Sequence, residues 1–229
     1  MKLYKFRSLG SRTDLKRATD IVKTGEFWCS QFWELNDPME GVYSYTAGTL
    51  TDEDAKEIFH AKSQQVLCSF SGIRAFRNPL LWGYYGNGFK GVAVEIEVDR
   101  QSLAIHKVEY VKELFSVNSS ERAHGAAHRI LTTKLRCWKH EIEYRHLSNG
   151  RTGLRAIGSI KAVHFGVPYG RIDNSADVQA SAHLREYGVR ARSLIKVARF
   201  RGIPCHAVVW ETGRVRSAGP FVGAGLPRC

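Results

Sequence analysis

The chain has 229 residues, 43% hydrophobic and 24% charged, the length and composition of one ordinary soluble globular domain. The opening Met1-Lys2-Leu3-Tyr4-Lys5-Phe6-Arg7 lacks the apolar core of a signal peptide, and no window approaches the roughly eighteen apolar residues of a membrane helix, so a cytoplasmic protein without membrane contact is expected. The formal charge of +12 is uneven: residues 1–115 hold 15 Lys and Arg against 15 Asp and Glu, whereas residues 116–229 hold 19 against 7.

In chain order, apolar alternation predicts strands near Lys2–Phe6, Glu26–Ser30, Gln65–Ser71, Phe89–Val98, Ala104–Tyr110, Glu141–His146, Ile160–Phe165 and Pro204–Trp210. Helical spacing predicts helices at Asp14–Thr24, Asp52–Lys62, Ser120–Trp138 and Asp177–Phe200. Thr13 and Asp14 offer an N-cap and Gly25 a stop for the first helix, and Thr51 with Asp54 caps the second. Asn87-Gly88 and Asn149-Gly150 mark turns. Because strands and helices do not alternate regularly, an α+β fold of mainly antiparallel strands is expected, as a single domain over 1–216 with a Gly/Pro-rich mobile tail at 217–229.

The candidate site residues follow from side-chain direction. Arg7 sits at the mouth of the first strand, where a guanidinium can take phosphate oxygens bidentately or serve as a rim charge. Asn36-Asp37-Pro38-Met39-Glu40 reads as a turn-forming string that shapes a loop. Ser69 and Ser71 share one strand face and can hold a carboxylate by hydrogen bonding, or simply line a sheet edge. Trp82, Tyr84 and Tyr85, before Gly86-Asn87-Gly88, offer aromatic faces in a turn that can stack a planar base or roof the core. Glu141 and Glu143 point the same way if their segment is a strand, so two carboxylates would share one surface, either as a site or as a surface strand with Glu143 paired to Arg145. Trp138 just before them suggests a covered site.

Within the basic half, Arg185, Arg190, Arg192, Lys196, Arg199 and Arg201 interleave with Leu194, Ile195, Val197 and Phe200 at helical spacing. Such a helix can neutralise nucleic-acid phosphates, contact an acidic partner, or present a solvated face. Other constellations carry less. Cys29, Cys68, Cys137, Cys205 and Cys229 are odd in number without C-x-x-C spacing, which suggests neither a disulfide framework nor a zinc knuckle. Glu121, His124 and His128 share a helix face but lack the H-E-x-x-H order, so no metal is expected. Cys205 and His206 are adjacent on a strand and face opposite ways, and no P-loop is present.

Taken in order, Leu3-Tyr4-Lys5-Phe6-Arg7, Leu35-Asn36-Asp37-Pro38-Met39-Glu40, Cys68-Ser69-Phe70-Ser71, Trp82-Gly83-Tyr84-Tyr85 with Gly91-Val92-Ala93-Val94-Glu95, and Trp138-Lys139-His140-Glu141-Ile142-Glu143-Tyr144-Arg145 resemble the prokaryotic family called domain of unknown function 2971, over residues 2 to about 166. More remotely, arginine on a first strand, S-x-S on a central one and E-x-E on a later one resemble the Arg–Ser–Glu-x-Glu class of ADP-ribosyltransferases. That resemblance implies a split, mainly antiparallel β core, NAD held with the help of Arg7, a site oriented by Ser69, Glu143 at the nicotinamide ribose, and Glu141 orienting or deprotonating the acceptor. Three function classes follow. The first is a NAD-consuming transferase or glycohydrolase acting on nucleic acid or protein, a toxin or phage-defence effector with an antitoxin-like partner. The second is a metal-dependent or acid–base nuclease, and the third a non-catalytic nucleic-acid-binding module.

Overall fold

The computed structural model describes residues 1–99, 101, 104–118, 120–168, 181–211 and 214–220. Along the chain run β1 (Lys2–Ser8), α1 (Arg12–Thr24), β2 (Glu26–Cys29), a 3-10 turn (Phe32–Glu34), α2 (Asp52–Ser63), β3 (Gln65–Ser71), α3 (Ile73–Phe76), α4 (Pro79–Tyr84) and β4 (Gly91–Glu97). The second half holds β5 (Ile105–Lys107), β6 (Glu109–Val111), α5 (Ala123–Leu131), β7 (Thr133–Leu135), a 3-10 segment (Arg136–Glu141), β8 (Glu143–Asn149), β9 (Gly153–Ala156), β10 (Ser159–Gly166), α6 (Ala182–Phe200), β11 (Cys205–Glu211) and β12 (Arg214–Pro220). The fold is therefore mixed α and β, and its strand pairing is mostly antiparallel, with β10–β11 and β6–β7 parallel.

Several boundaries differ from the sequence expectation for local reasons. Ser11, not Thr13 or Asp14, caps α1 by accepting from the Asp14 N–H, while Gly25 ends the helix at φ 74° as expected. The helix expected over Ser120–Trp138 stops at Leu131, where the hydroxyls of Thr132 and Thr133 donate to the carbonyls of His128 and Arg129 and Thr133 enters β7. Trp82 and Tyr84 lie on a short helix, not in a turn, since Asn78 caps it and Pro79 opens it. The run Ala104–Tyr110 splits into β5 and β6, which pair with β8 and β7 respectively. Residues 217–220, expected in a mobile tail, belong to β12; 221–229 and the expected helical start at 177–180 lie outside the described residues.

The described chain forms two compact units. The first comprises residues 1–26, 71–99 and 156–229. Its strands lie in the order β12-β11-β10-β4-β1. Helices α1 and α6 cover one face: Ala18 and Val22 from α1 and Tyr187, Ala191, Leu194, Ile195 and Ala198 from α6 pack on Val92, Val163, Phe165 and Ala207. Tyr187 Oη donates to the Gly166 carbonyl beneath it. Gly158, just before β10, has φ 81°, and a Cβ there would lie 2.3 Å from the Glu97 carbonyl oxygen, so the close approach of these backbones requires glycine.

The second unit comprises residues 27–70 and 100–155. Strands β3, β8 and β5 are adjacent in that order. Helices α2 and α5 pack together through Ile58, Val117, Ala126 and Ile130. The capping box of α2 forms as expected between Thr51 and Asp54.

Candidate functional site

The second unit contains a buried cluster of charged side chains. Glu143 opens β8, and Arg145 follows two residues later on the same strand face. Arg145 is 0% exposed. Each of its five N–H donors has an acceptor: Nε reaches Glu143 Oε1 at 2.8 Å, Nη1 reaches Glu40 Oε1 and the Leu131 carbonyl, and Nη2 reaches Glu40 Oε2 at 2.7 Å and Glu143 Oε2 at 3.2 Å. A guanidinium taken wholly out of water requires this degree of pairing.

Glu141 reaches the same cluster by a route other than strand alternation. Residues 136–141 form a 3-10 segment, and Ile142 adopts a left-handed conformation at φ 43° before β8 begins. The expectation that Glu141 and Glu143 share a strand face is thereby corrected. Lys134 on β7 brings them together instead, its Nζ lying 2.7 Å from Glu141 Oε2 and 3.2 Å from Glu143 Oε2, with Asp37 at 3.9 Å. The same ammonium lies 4.8 Å from the Trp138 ring centroid, a cation–π distance. Tyr110 Oη accepts the Glu143 N–H at 2.8 Å, and Ser69 hydrogen-bonds the Glu143 carboxylate.

Charge pairing outweighs burial at Glu143 and Lys134, whereas at Glu40 burial outweighs the pairing with Arg145 and raises the carboxyl pKa. Burial by itself would push the Glu143 carboxyl up, but Arg145, Lys134 and the hydrogen bonds from Arg145 and Ser69 hold it at about 2. Burial likewise opposes charge on Lys134, yet Glu143 and Glu141 keep its pKa above the ordinary lysine value. A depressed carboxyl pKa contributes stability that is complete above the unfolded value of 4.5 and is lost as pH falls toward 2, because the unfolded chain takes up the proton first. Glu143→Gln is therefore expected to flatten the acid limb of the stability curve between about pH 4.5 and 2. Urea unfolding at pH 7, 4.5 and 3 checks this, and an acid limb as steep as in the wild type would contradict it.

Of the residues expected at one site, Ser69, Glu141 and Glu143 meet in this cluster. Glu143 is 3% exposed and both of its oxygens are engaged by Arg145 and Lys134. The remaining residues belong to the first unit. Arg7 stands on β1 opposite Val92, and Ser71 pairs with Tyr4. Trp82 is corrected from a stacking face to a core residue: it is 0% exposed, donates Nε1–H to the Phe76 carbonyl, stacks on Phe89 and meets the edge of Phe6. Tyr84 is exposed and Tyr85 half-buried. Sequence reasoning missed Glu40, Asp37, Lys134 and Tyr110 as cluster members. The string Leu35 to Glu40 carried the signal, since a loop with no role beyond its shape does not need Asp37 and Glu40 buried.

Comparison of the chain with protein-family models, curated proteins and solved structures finds no match. Among the described residues no group of three His, Cys, Asp or Glu is arranged to hold a metal ion. Glu121, once aligned with His124 and His128, instead pairs with Arg129, and His128 contacts His106 at 3.2 Å.

The basic helix of the sequence is α6, and its division departs from the spacing at Arg190 and Phe200. Leu184, Tyr187, Ala191, Leu194, Ile195 and Ala198 face the sheet. At about 100° per residue, Arg185, Arg192, Lys196 and Arg199 fall within about 60° of one another along one flank, roughly 110° from the centre of the buried stripe and spread over about 21 Å of helix; Arg185, Lys196 and Arg199 are exposed and Arg192 is half-buried. Arg190 departs from this row: it turns inward, bonding the Leu9 carbonyl at 3.2 Å and pairing with Glu186. Arg201 follows at the exposed C-cap, and Phe200 beside it is 91% exposed. The charge is segregated by unit. The first unit carries 21 Lys and Arg against 10 Asp and Glu, a surplus of +11, and the second 13 against 12.

Proposed function

We propose that this protein binds nucleic acid, with the outer face of α6 as the contact surface. The observation that carries the reading is the row Arg185, Arg192, Lys196 and Arg199 along one flank of a helix anchored by its apolar face, in a unit whose sequence holds nearly all of the net charge. A row of cations about 21 Å long spans several phosphates, and a rigid helix loses little freedom in presenting them. Phe200, solvent-facing at the end of the row, adds a ring on which an unpaired base can stack.

The transferase reading, with its split β core and NAD as substrate, has one observation in its favour. Ser69 hydrogen-bonds Glu143, a contact by which a serine can orient the carboxylate. It also asks Glu143 to reach a ribose, and that carboxylate is buried between Arg145 and Lys134. A buried ion cluster of this kind serves chiefly to hold Glu40, Lys134 and β8 in register.

Calorimetric titration separates the readings. Heat on adding a 20-nucleotide RNA or DNA, weakening with salt, and none on adding NAD, is the expected result. NAD binding with nicotinamide release that Glu143→Gln abolishes, without oligonucleotide binding, would overturn it in favour of glycosyl transfer.

A further inference from the structure

The face of the first unit's sheet turned away from α1 and α6 carries a sealed polar cluster. Val92 and Val163 point toward the helices, so the residues that alternate with them, Ala93 and Glu95 on β4 and Ala162 and His164 on β10, point the other way. Tyr4 lies opposite Glu95, and His206 lies opposite His164, which places all four on one surface. Phe76 at the end of α3 closes over them. Its buried ring stacks on Tyr4 with centroids 4.4 Å apart and meets the His164 ring at 4.9 Å. The Phe76 carbonyl in turn accepts the Trp82 Nε1–H, which joins α3 to α4.

His164 is held as one tautomer. Glu95 Oε2 is 2.9 Å from His164 Nε2 and 3.3 Å from Tyr4 Oη, and Glu95 Oε1 is 2.7 Å from Lys2 Nζ. Burial would raise the Glu95 pKa, but the bonds from Lys2 and His164 outweigh it and keep the carboxylate ionised. An ionised carboxylate only accepts, so His164 donates through Nε2–H and its lone pair is on Nδ1. Nδ1 is buried with no hydrogen-bond partner among the described residues. The His206 ring stacks on the His164 ring with centroids 5.2 Å apart. A proton added at Nδ1 would therefore find no acceptor, and its charge would lie out of water between Phe76 and a second imidazole.

We infer that His164 is an acid-sensitive latch on α3: the neutral ring keeps Phe76 seated on the sheet, and a proton at Nδ1 releases it. His164 cannot leave by itself, because β10 is paired with β4 on one side and β11 on the other. Helix α3 is four residues long and is the element able to give way. Burial is the largest influence on the His164 ring and disfavours its charge. Glu95 on β4 favours the charge by less, while His206 on β11 and Lys2 on β1 oppose it. Tyr4 on β1 is engaged by Glu95, and Arg77, which caps α3, acts on the Tyr4 phenol. The closed-state pKa of His164 therefore lies below the ordinary value of 6.5. As pH falls the open state takes the proton first, so closure is complete above 6.5 and is lost as pH drops through the closed-state value. The latch stands on contacts within the first unit and holds whatever α6 binds.

Hydrogen exchange of the full chain, followed residue by residue by NMR and corrected for the intrinsic rate at each pH, tests the latch. The amides of Ala75, Phe76 and Asn78 report on it, since each bonds within the α3 segment. Their protection is expected to fall about tenfold between about pH 7.5 and 5, because the opening equilibrium rises by up to about tenfold per pH unit below 6.5. His164→Gln keeps an amide donor toward Glu95 and has no proton to gain, so its protection is expected to stay level over the same range. Nitrogen spectra of the wild-type imidazoles check the tautomer without any substitution, and His164 is expected to carry its hydrogen on Nε2 at neutral pH. Wild-type protection unchanged on acidification, an equal acid loss in His164→Gln, or a hydrogen on Nδ1 at neutral pH overturns the inference.

Discussion

Arg145→Met is expected to destabilise the protein by about 3–5 kcal/mol, the cost of removing one partner from a buried ion network. Methionine fills much of the volume, so the loss comes from charge and hydrogen bonding, not from a cavity. It strands the carboxylates of Glu40 and Glu143, both buried, and takes the donor from the Leu131 carbonyl. Arg145→Lys is expected to recover little, since an ammonium cannot reproduce a planar fork that serves two carboxylates and a carbonyl at once. Combining Arg145→Met with Glu40→Leu and Glu143→Leu is expected to restore part of the loss, because an apolar replacement of the whole set leaves fewer buried groups unpaired. Urea unfolding of the four proteins measures this. A change below about 1 kcal/mol for Arg145→Met would mean that the cluster is solvated and that its geometry does not order the unit.

The second large effect is on affinity. Replacing Arg185, Arg192, Lys196 and Arg199 together by Ser is expected to remove most nucleic-acid binding at 0.15 M salt, since the four cations line one flank of α6. Arg190→Ser serves as the contrast. Its guanidinium is spent on the Leu9 carbonyl and Glu186, so its loss is expected to change stability more than binding. Phe200→Ala is expected to weaken single-stranded binding by about tenfold, the value of one stacked base, and to leave duplex binding unchanged. Anisotropy of labelled single- and double-stranded 20-mers reads all three variants. Equal losses for duplex and single strand in Phe200→Ala would reject the stacking role.

Much of the fold was readable because it depends on local signals. The cap Thr51 with Asp54, the Gly25 stop and the amphipathic spacing of α6 all form as their residues suggest. What escaped depends on contacts distant in sequence. Nothing local to Glu141-Ile142-Glu143 announces that Ile142 turns left-handed, or that Lys134 gathers both carboxylates from β7, a strand of a separate sheet. Trp82 reads as an available ring until Phe6, Phe76 and Phe89 are found around it. The Glu95–His164–His206 face was invisible for the same reason: three residues scattered over more than a hundred positions become neighbours only through the register of β4, β10 and β11.

The most direct test of nucleic-acid binding through α6 is the salt dependence of affinity for a duplex 20-mer between 50 and 200 mM, compared for the wild type and the fourfold serine variant. Four phosphate contacts predict a wild-type slope of log affinity on log salt near −3.6 or steeper, hence a loss of about 10²-fold or more across that range, and a slope shallower by about 3 to 4 in the variant. Parallel slopes for the two proteins would place the phosphate contacts elsewhere and contradict the assignment of α6.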